Sequence, residues 1–393
     1  MLIGEPKELI KTQLTDGQKI YYSIQTSDNN SHIAFVGSMV VKGSENEQFR
    51  VNMYDSAMNK LWTKDIKLPY TEKQFLTSDY DVDNNGNFYI LGKYYINGVK
   101  EVKGGEANYI YRILAYKENG TKVKDFKVEL AGKFLNSILM IPSLDGTRLM
   151  CGGFYSAKGT TSIKGVYMMA VDMENLSISG SKFKEFDAGL LARLMTTHKE
   201  SKKGELMNYD VDAIVRRSDG GFVLTGEQSY VVTTTYTDAQ GHMHTSTTYH
   251  YNNLIIVNIS PDLTIEWVKD IPKRQQSSYP MTTYALAIAN GNLYYIFNQS
   301  TNAEKMYMTD GKLEDKTLGE EEEKGKYSSK EGFSVIAVKV SPDGTRYSQK
   351  LWKTEYGKMA AIDAGYCQQL SDDSMFFYCT LPSKSQIGFF HFK

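Results

Sequence analysis

Nine side chains in this sequence combine the types and spacing that metal or acid–base chemistry needs. The stretch DVDNNGNFYILG, residues 81–92, puts Asp81, Asp83 and Asn85 at alternate positions with Gly86 at a sharp turn, the order of the first ligands in a calcium loop. Position twelve is Gly92, where a helix-flanked loop needs a bidentate glutamate. Calcium turns in hairpins use a later aspartate instead, and that place is Tyr89. A plain turn between two strands is therefore preferred, with Asp81, Asp83 and Asn85 kept as a calcium candidate; no other cofactor is indicated. His242 and His244 form an H-x-H pair, which puts two imidazoles on one face of a strand. His250 would lie about 20 Å beyond His244 at strand rise, too far to share a zinc ion. Thr235 and Thr237, expected opposite the pair, are poor ligands. Asp79, Asp210, Asp212 and Asp363 stand near the starts of apolar strands. Brought together, they could hold a divalent ion that activates water for hydrolysis. The simpler reading is polar residues beside a solvent-filled space. G-x-S-x-G, P-loop, H-E-x-x-H and dinucleotide fingerprints are absent.

The elements that must position these groups are strands. Twenty-eight tyrosines and 32 glycines against 8 prolines suit pleated sheets joined by tight turns. Lys+Arg 45 against Asp+Glu 46 gives a net charge of -1, so no basic field gathers nucleic acid or an anionic membrane. No segment reaches membrane-spanning length, so no membrane insertion is expected. The start, MLIGEPKELIKTQL, carries no apolar run long enough for a signal peptide. Cys151, Cys367 and Cys379 read as small buried residues, with one disulfide between Cys367 and Cys379 as the alternative.

A repeat organises the strands. An Asp/Asn/Gly/Ser turn leads into an apolar strand six times: DVDNNGNFYILG, DNNSHIAFVG (28–37), DGTRLMCGG (145–153), SDGGFVLTG (218–226), NGNLYYIFN (290–298) and SDDSMFFYC (371–379). A second hairpin alternates with it in five copies, at 49–68, 111–130, 166–186, 254–271 and 335–352. The terminal IGFFHFK supplies the first strand of a sixth, and KELIKTQL near the other end is strand-like without a partner. The arithmetic closes if the two ends pair. The expected fold is thus all-β: a single domain over 1–393, a six-bladed β-propeller of four-stranded antiparallel blades, its ring closed by pairing of the N- and C-terminal strands.

Turns within the hairpins are short, whereas the connections 96–108, 187–207, 231–253 and 301–332 are long. In such a ring they fall on one face, where binding residues are expected. Residues 222–259 read as a long hairpin with DAQG at its tip, an arm that packs on a partner. Leu190, Leu191, Leu194, Met195 and His198 share a helical stripe in 187–200, read as a short covering helix with His198 at the surface. GEEEEKGK (319–326) reads as a solvated loop tip.

At FRVNMYDSAMNKLWTKDIKLPY, NYIYRILAYKENGTKV, GEQSY and LIIVNISPDLTIEWVKDIPKRQ, the chain resembles a family of uncharacterised proteins from Bacteroidetes-type bacteria. The resemblance runs over most of the chain and implies an exported protein, periplasmic or extracellular, whose signal sequence precedes this portion. It implies no activity or catalytic residue set. The expected function is a non-enzymatic binding or scaffold module that contacts a protein or glycan partner through the loop-rich face and the 222–259 arm. The alternative is a metal-dependent hydrolase with the carboxylates Asp79, Asp210, Asp212 and Asp363 at the central channel of the ring.

Overall fold

The computed structural model describes residues 8–14, 18–41, 46–104, 106–130, 132–156, 162–195, 204–300, 311–313, 333–354, 360–381 and 384–392. Among them are 31 strands and a single α-helix, Ala188–Leu194, so the fold is all-β. Packing divides the chain into two compact units, 1–160 with 167–183, and 161–166 with 184–393.

The first unit opens with the sheet Gln18–Thr26, His32–Val41, Asn46–Asp55 and Lys60–Thr71, in that order. The second sheet runs Phe75–Val82, Phe88–Tyr95, Tyr109–Lys117 and Lys122–Val128. In the third, Phe134–Leu135 and Leu139–Pro142 both pair with Arg148–Ser156, followed by Gly165–Asp172 and Ser177–Glu185. Each sheet is thus one copy of the first hairpin joined to one of the second. Successive side chains of a strand point to opposite sheet faces. Phe88 and Ile90 accordingly bury with Phe49 and Val51 of the first sheet, while Tyr89 and Leu91 bury with Leu149 and Tyr167 of the third. That double burial explains the unbroken apolar runs after the turns. Gly153 meets a close approach: a Cβ there would stand 1.9 Å from the Ser137 carbonyl oxygen, where the two short edge strands break.

The second unit repeats the plan. Its sheets run Tyr209–Arg216, Phe222–Thr237, Met243–Ile259, Ile265–Ile271, and then Tyr284–Ala289, Asn292–Ser300, Phe333–Val340, Arg346–Lys353. Gly311–Leu313 adds to the edge of the latter. In the last sheet, Ala361–Ile362 and Gln368–Ser371 pair with Ser374–Leu381, which pairs with Lys384–His391. Val223, Ile256, Tyr295 and Val338 bury together on one side of the middle sheet, and Tyr294, Ile296, Ile362 and Met375 on the other.

One turn type recurs. In Asp83–Asn87 the Asp83 N–H donates to Asn87 O at 3.1 Å and Gly86 N–H to Asp83 O at 3.0 Å, with Gly86 at φ 75°. The same pair of bonds closes 55–59, 217–221, 238–242, 260–264 and 341–345. A left-handed fourth residue matches the hairpin to the twist of its strands.

The N-terminal segment and the register of the histidine pair differ from expectation. Residues 8–14 form no strand; they are held by side chains of the first sheet, Tyr54 donating to Leu9 O and Thr12 Oγ1 lying 2.7 Å from the Tyr22 hydroxyl. Among the described residues Lys384–His391 pairs with Ser374–Leu381 alone. Nor are Thr235 and Thr237 opposite the histidine pair. Gly241, at φ 83°, adds a bulge residue, so His244 faces Tyr236 and Met243 faces Thr237. Cys151, Cys367 and Cys379 are free thiols. His198 and residues 319–326 lie outside the described residues.

Candidate functional site

The arm exists and is ordered by strand chemistry. Its strands are 16 and 17 residues long, where their neighbours Tyr209–Arg216 and Ile265–Ile271 have 8 and 7. Residues 222–227 have a partner on both sides; among the described residues the six pairs from Val232–Thr248 to Thr237–Met243 have only each other. That ribbon reaches roughly 20 Å past the sheet at strand rise. A register shift between Glu227 and Ser229 interrupts the ladder at its base. Stacked pairs brace it, Tyr230 on His250 at 4.6 Å between ring centres and Tyr236 on His244 at 5.3 Å. Val231, Val232, Tyr236 and Met243 remain exposed on it.

At the arm's base the return strand makes a second pairing: Tyr249, His250 and Tyr251 with Ser277, Gln276 and Gln275. The Met281 N–H donates to the Tyr251 hydroxyl at 3.2 Å. Gln275 and Gln276, with Tyr279, Thr282, Ile362 and Asp363, line a cleft of about 270 Å³. Behind its wall lies a buried polar network. The fully buried Lys273 ammonium pairs with Glu227, which also accepts from Thr283 Oγ1 at 2.6 Å. Gln275 Nε2 donates to Thr283 O at 2.9 Å and Asn298 O at 2.6 Å. The Asn298 amide in turn clamps Ile362, donating to its carbonyl at 2.8 Å and accepting from its N–H at 2.9 Å. The network occupies Gln275 and Asn298. The side chains of Gln276, Thr282 and Asp363 have no hydrogen-bond partner among the described residues.

Of the residues singled out from sequence, Asp363 lines this cleft, half-buried, and opens the 3-10 turn Ala364–Tyr366 without capping it through its side chain. Asp212 lies beside the network. It touches solvent yet is crowded on its other sides, and burial, reinforced by the Glu227 and Asp210 carboxylates, pushes its carboxyl up to about 8. Asp210 is the ladder partner of Glu227, and its Oδ1 accepts from the Val211 N–H at 2.9 Å. Asp79, in the first unit, sits at a register shift after Thr77; burial pushes it up to about 6 against the backbone N–H donors of Tyr80 and Met140. Asp83 uses both oxygens on its own turn, accepting from the N–H groups of Asn85 and Asn87, the Asn87 amide and the Tyr89 hydroxyl. Asp81 accepts from the Val82 N–H, and Asn85 is exposed. His242 and His244 both reach Asp238, at 3.4 and 2.7 Å, which closes the arm's tip. Among the described residues no three His, Cys, Asp or Glu side chains are placed to share a metal ion. No described helix is long and apolar enough to cross a membrane.

Sequence reasoning missed Glu227, Lys273, Gln275 and Asn298. The signal was present: Glu227 interrupts an apolar strand, and the run KRQQ follows Pro272, one residue past the strand Ile265–Ile271. Charges in buried positions come in pairs.

No family model matches the chain, and no curated protein matches it. Among solved structures it is similar to the β-propeller domain of the Trilobed protease from Pyrococcus furiosus, at 10% identity over 94% of this chain and 95% of that one, with a TM-score of 0.32. It is similar to prolyl oligopeptidase B from Galerina marginata at 11% identity, covering 95% of this chain but 41% of that one, with a TM-score of 0.42. A protein of unknown function from Dyadobacter fermentans is similar at 8% identity, over 94% and 92% of the two chains, with a TM-score of 0.38.

Proposed function

We propose that the chain is a six-bladed β-propeller acting as a non-enzymatic binding module, exported to the periplasm or beyond, that holds a protein or glycan partner on its arm and the cleft at the arm's base. Support for the blades is the succession of six larger antiparallel sheets, each drawn from one stretch of the chain. The observation that carries the binding reading is the arm. A two-stranded ribbon is marginal in water on its own, yet this one keeps Val232 41%, Tyr236 53% and Met243 75% exposed. Exposed apolar and aromatic side chains on an ordered projection mark a contact surface.

Excising residues 232–248 and joining Val231 to Tyr249 through Asn-Gly should leave the melting temperature unchanged while abolishing retention of the partner from a cell-envelope extract. A trimmed protein that retains everything the full chain retains would refute the assignment.

A further inference from the structure

We propose that the cleft receives a neutral sugar ring of a glycan whose chain continues along the arm, an assignment that rests on the arm-and-cleft reading above. Among the described residues the cleft lining contains no Lys, Arg or His, so phosphate, nucleotide and acidic-sugar ligands find no counter-charge on them. What it offers is the uncommitted Gln276 amide, Thr282 hydroxyl and Asp363 carboxylate. Two carboxylate oxygens can accept from two adjacent hydroxyls in charge-assisted bonds, and an amide both donates and accepts. Tyr279, 66% exposed, stands in the lining with Ile362, giving apolar surface for the C–H face of a ring.

The continuation along the arm follows from register. Directly paired residues share a sheet face, and Gln276 pairs with His250, which pairs with Tyr230. The same face then carries Val232 with Thr248, Thr234 with Ser246, and Tyr236 with His244. Rings and hydroxyls make up nearly all of that row, with no carboxylate, Lys or Arg in it. Its hydroxyls can exchange hydrogen bonds with sugar hydroxyls, and its rings can lie against sugar C–H faces.

The test is a microarray of neutral, acidic and amino-substituted oligosaccharides, followed by titration calorimetry with the tightest neutral oligosaccharide and with spermidine. Neutral oligosaccharides should bind. Asp363→Asn and Tyr279→Ala, at positions with no side-chain hydrogen bond to lose, should each weaken binding at least tenfold. The trimmed arm should keep affinity for a single sugar unit and lose the gain that comes with a longer chain. Absence of binding by any neutral oligosaccharide, unchanged binding by Asp363→Asn, or binding of spermidine in place of sugars would overturn the assignment. If the arm retains a protein while no sugar binds, the glycan falls and the binding reading stands. If the trimmed and full chains retain the same partners, the binding reading itself falls.

Discussion

Replacing Lys273 by methionine removes a charge from behind the cleft while keeping an unbranched apolar side chain of similar length. Lys273 has no exposed side-chain surface and its partner Glu227 has 8%. The variant strands the Glu227 carboxylate with the Thr283 hydroxyl as donor. Breaking one side of such a pair costs about 3–5 kcal/mol, a large part of a total stability of about 5–15 kcal/mol. Glu227→Gln alone should cost a similar amount, because it leaves a buried ammonium. The double variant removes both charges and leaves glutamine to accept from Thr283, so it should return to within about 1 kcal/mol of the parent. The two single losses would sum to about 6–10 kcal/mol, giving a coupling of several kcal/mol. Urea unfolding followed by tryptophan fluorescence reads this, since Trp267 and Trp352 lie in the same unit. A double variant as unstable as the sum of the single ones would refute the reasoning. Burial already lowers the Lys273 pKa, with Glu227 opposing. Without Glu227 the folded state binds fewer protons than the unfolded chain below the ordinary lysine value. Glu227→Gln should therefore gain stability as pH rises through that window.

Asp212→Asn should change the pH dependence of stability. The folded pKa of about 8 lies above the unfolded carboxylate value, so the group's contribution to the parent's stability is full in acid, declines as pH rises from about 4 to 8 and is level above that; melts at pH 5 and 9 should show the variant gaining on the parent at the higher pH, and a constant difference would count against burial as the cause. Asn298→Ala removes both bonds to Ile362 and should cost about 2–4 kcal/mol, read as a lowered melting temperature. A shift of less than about 1 °C would show that the clamp does not hold the last sheet.

Much of the fold was legible because turn chemistry is local. The Asp83–Asn87 turn, the Asp238 and Gly241 positions and the alternation of two hairpin types follow from neighbouring residues, and the structure contains them. The Asp187-capped helix Ala188–Leu194, with Leu190 and Leu194 buried, is local in the same sense. The candidate site was legible only in part. Asp363 and the arm were identified, but the cleft joins residues near 276, 298 and 362, and no spacing in the chain announces that meeting. The N-terminal segment was misread because strand-like alternation does not say whether a backbone pairs or is held by tyrosine hydroxyls.

From the sequence alone came the strands, their turns, the absence of a basic field and the long exposed hairpin, since each depends on contacts a few residues apart or on composition. Tertiary structure decided which polar groups are spent and which are left over: Lys273 on Glu227, Gln275 and Asn298 on the sheet framework, Gln276, Thr282 and Asp363 on nothing within the described residues. Hydrogen-bond satisfaction is a property of three-dimensional neighbours, and only their positions separate the groups that hold the fold from those that remain for a ligand.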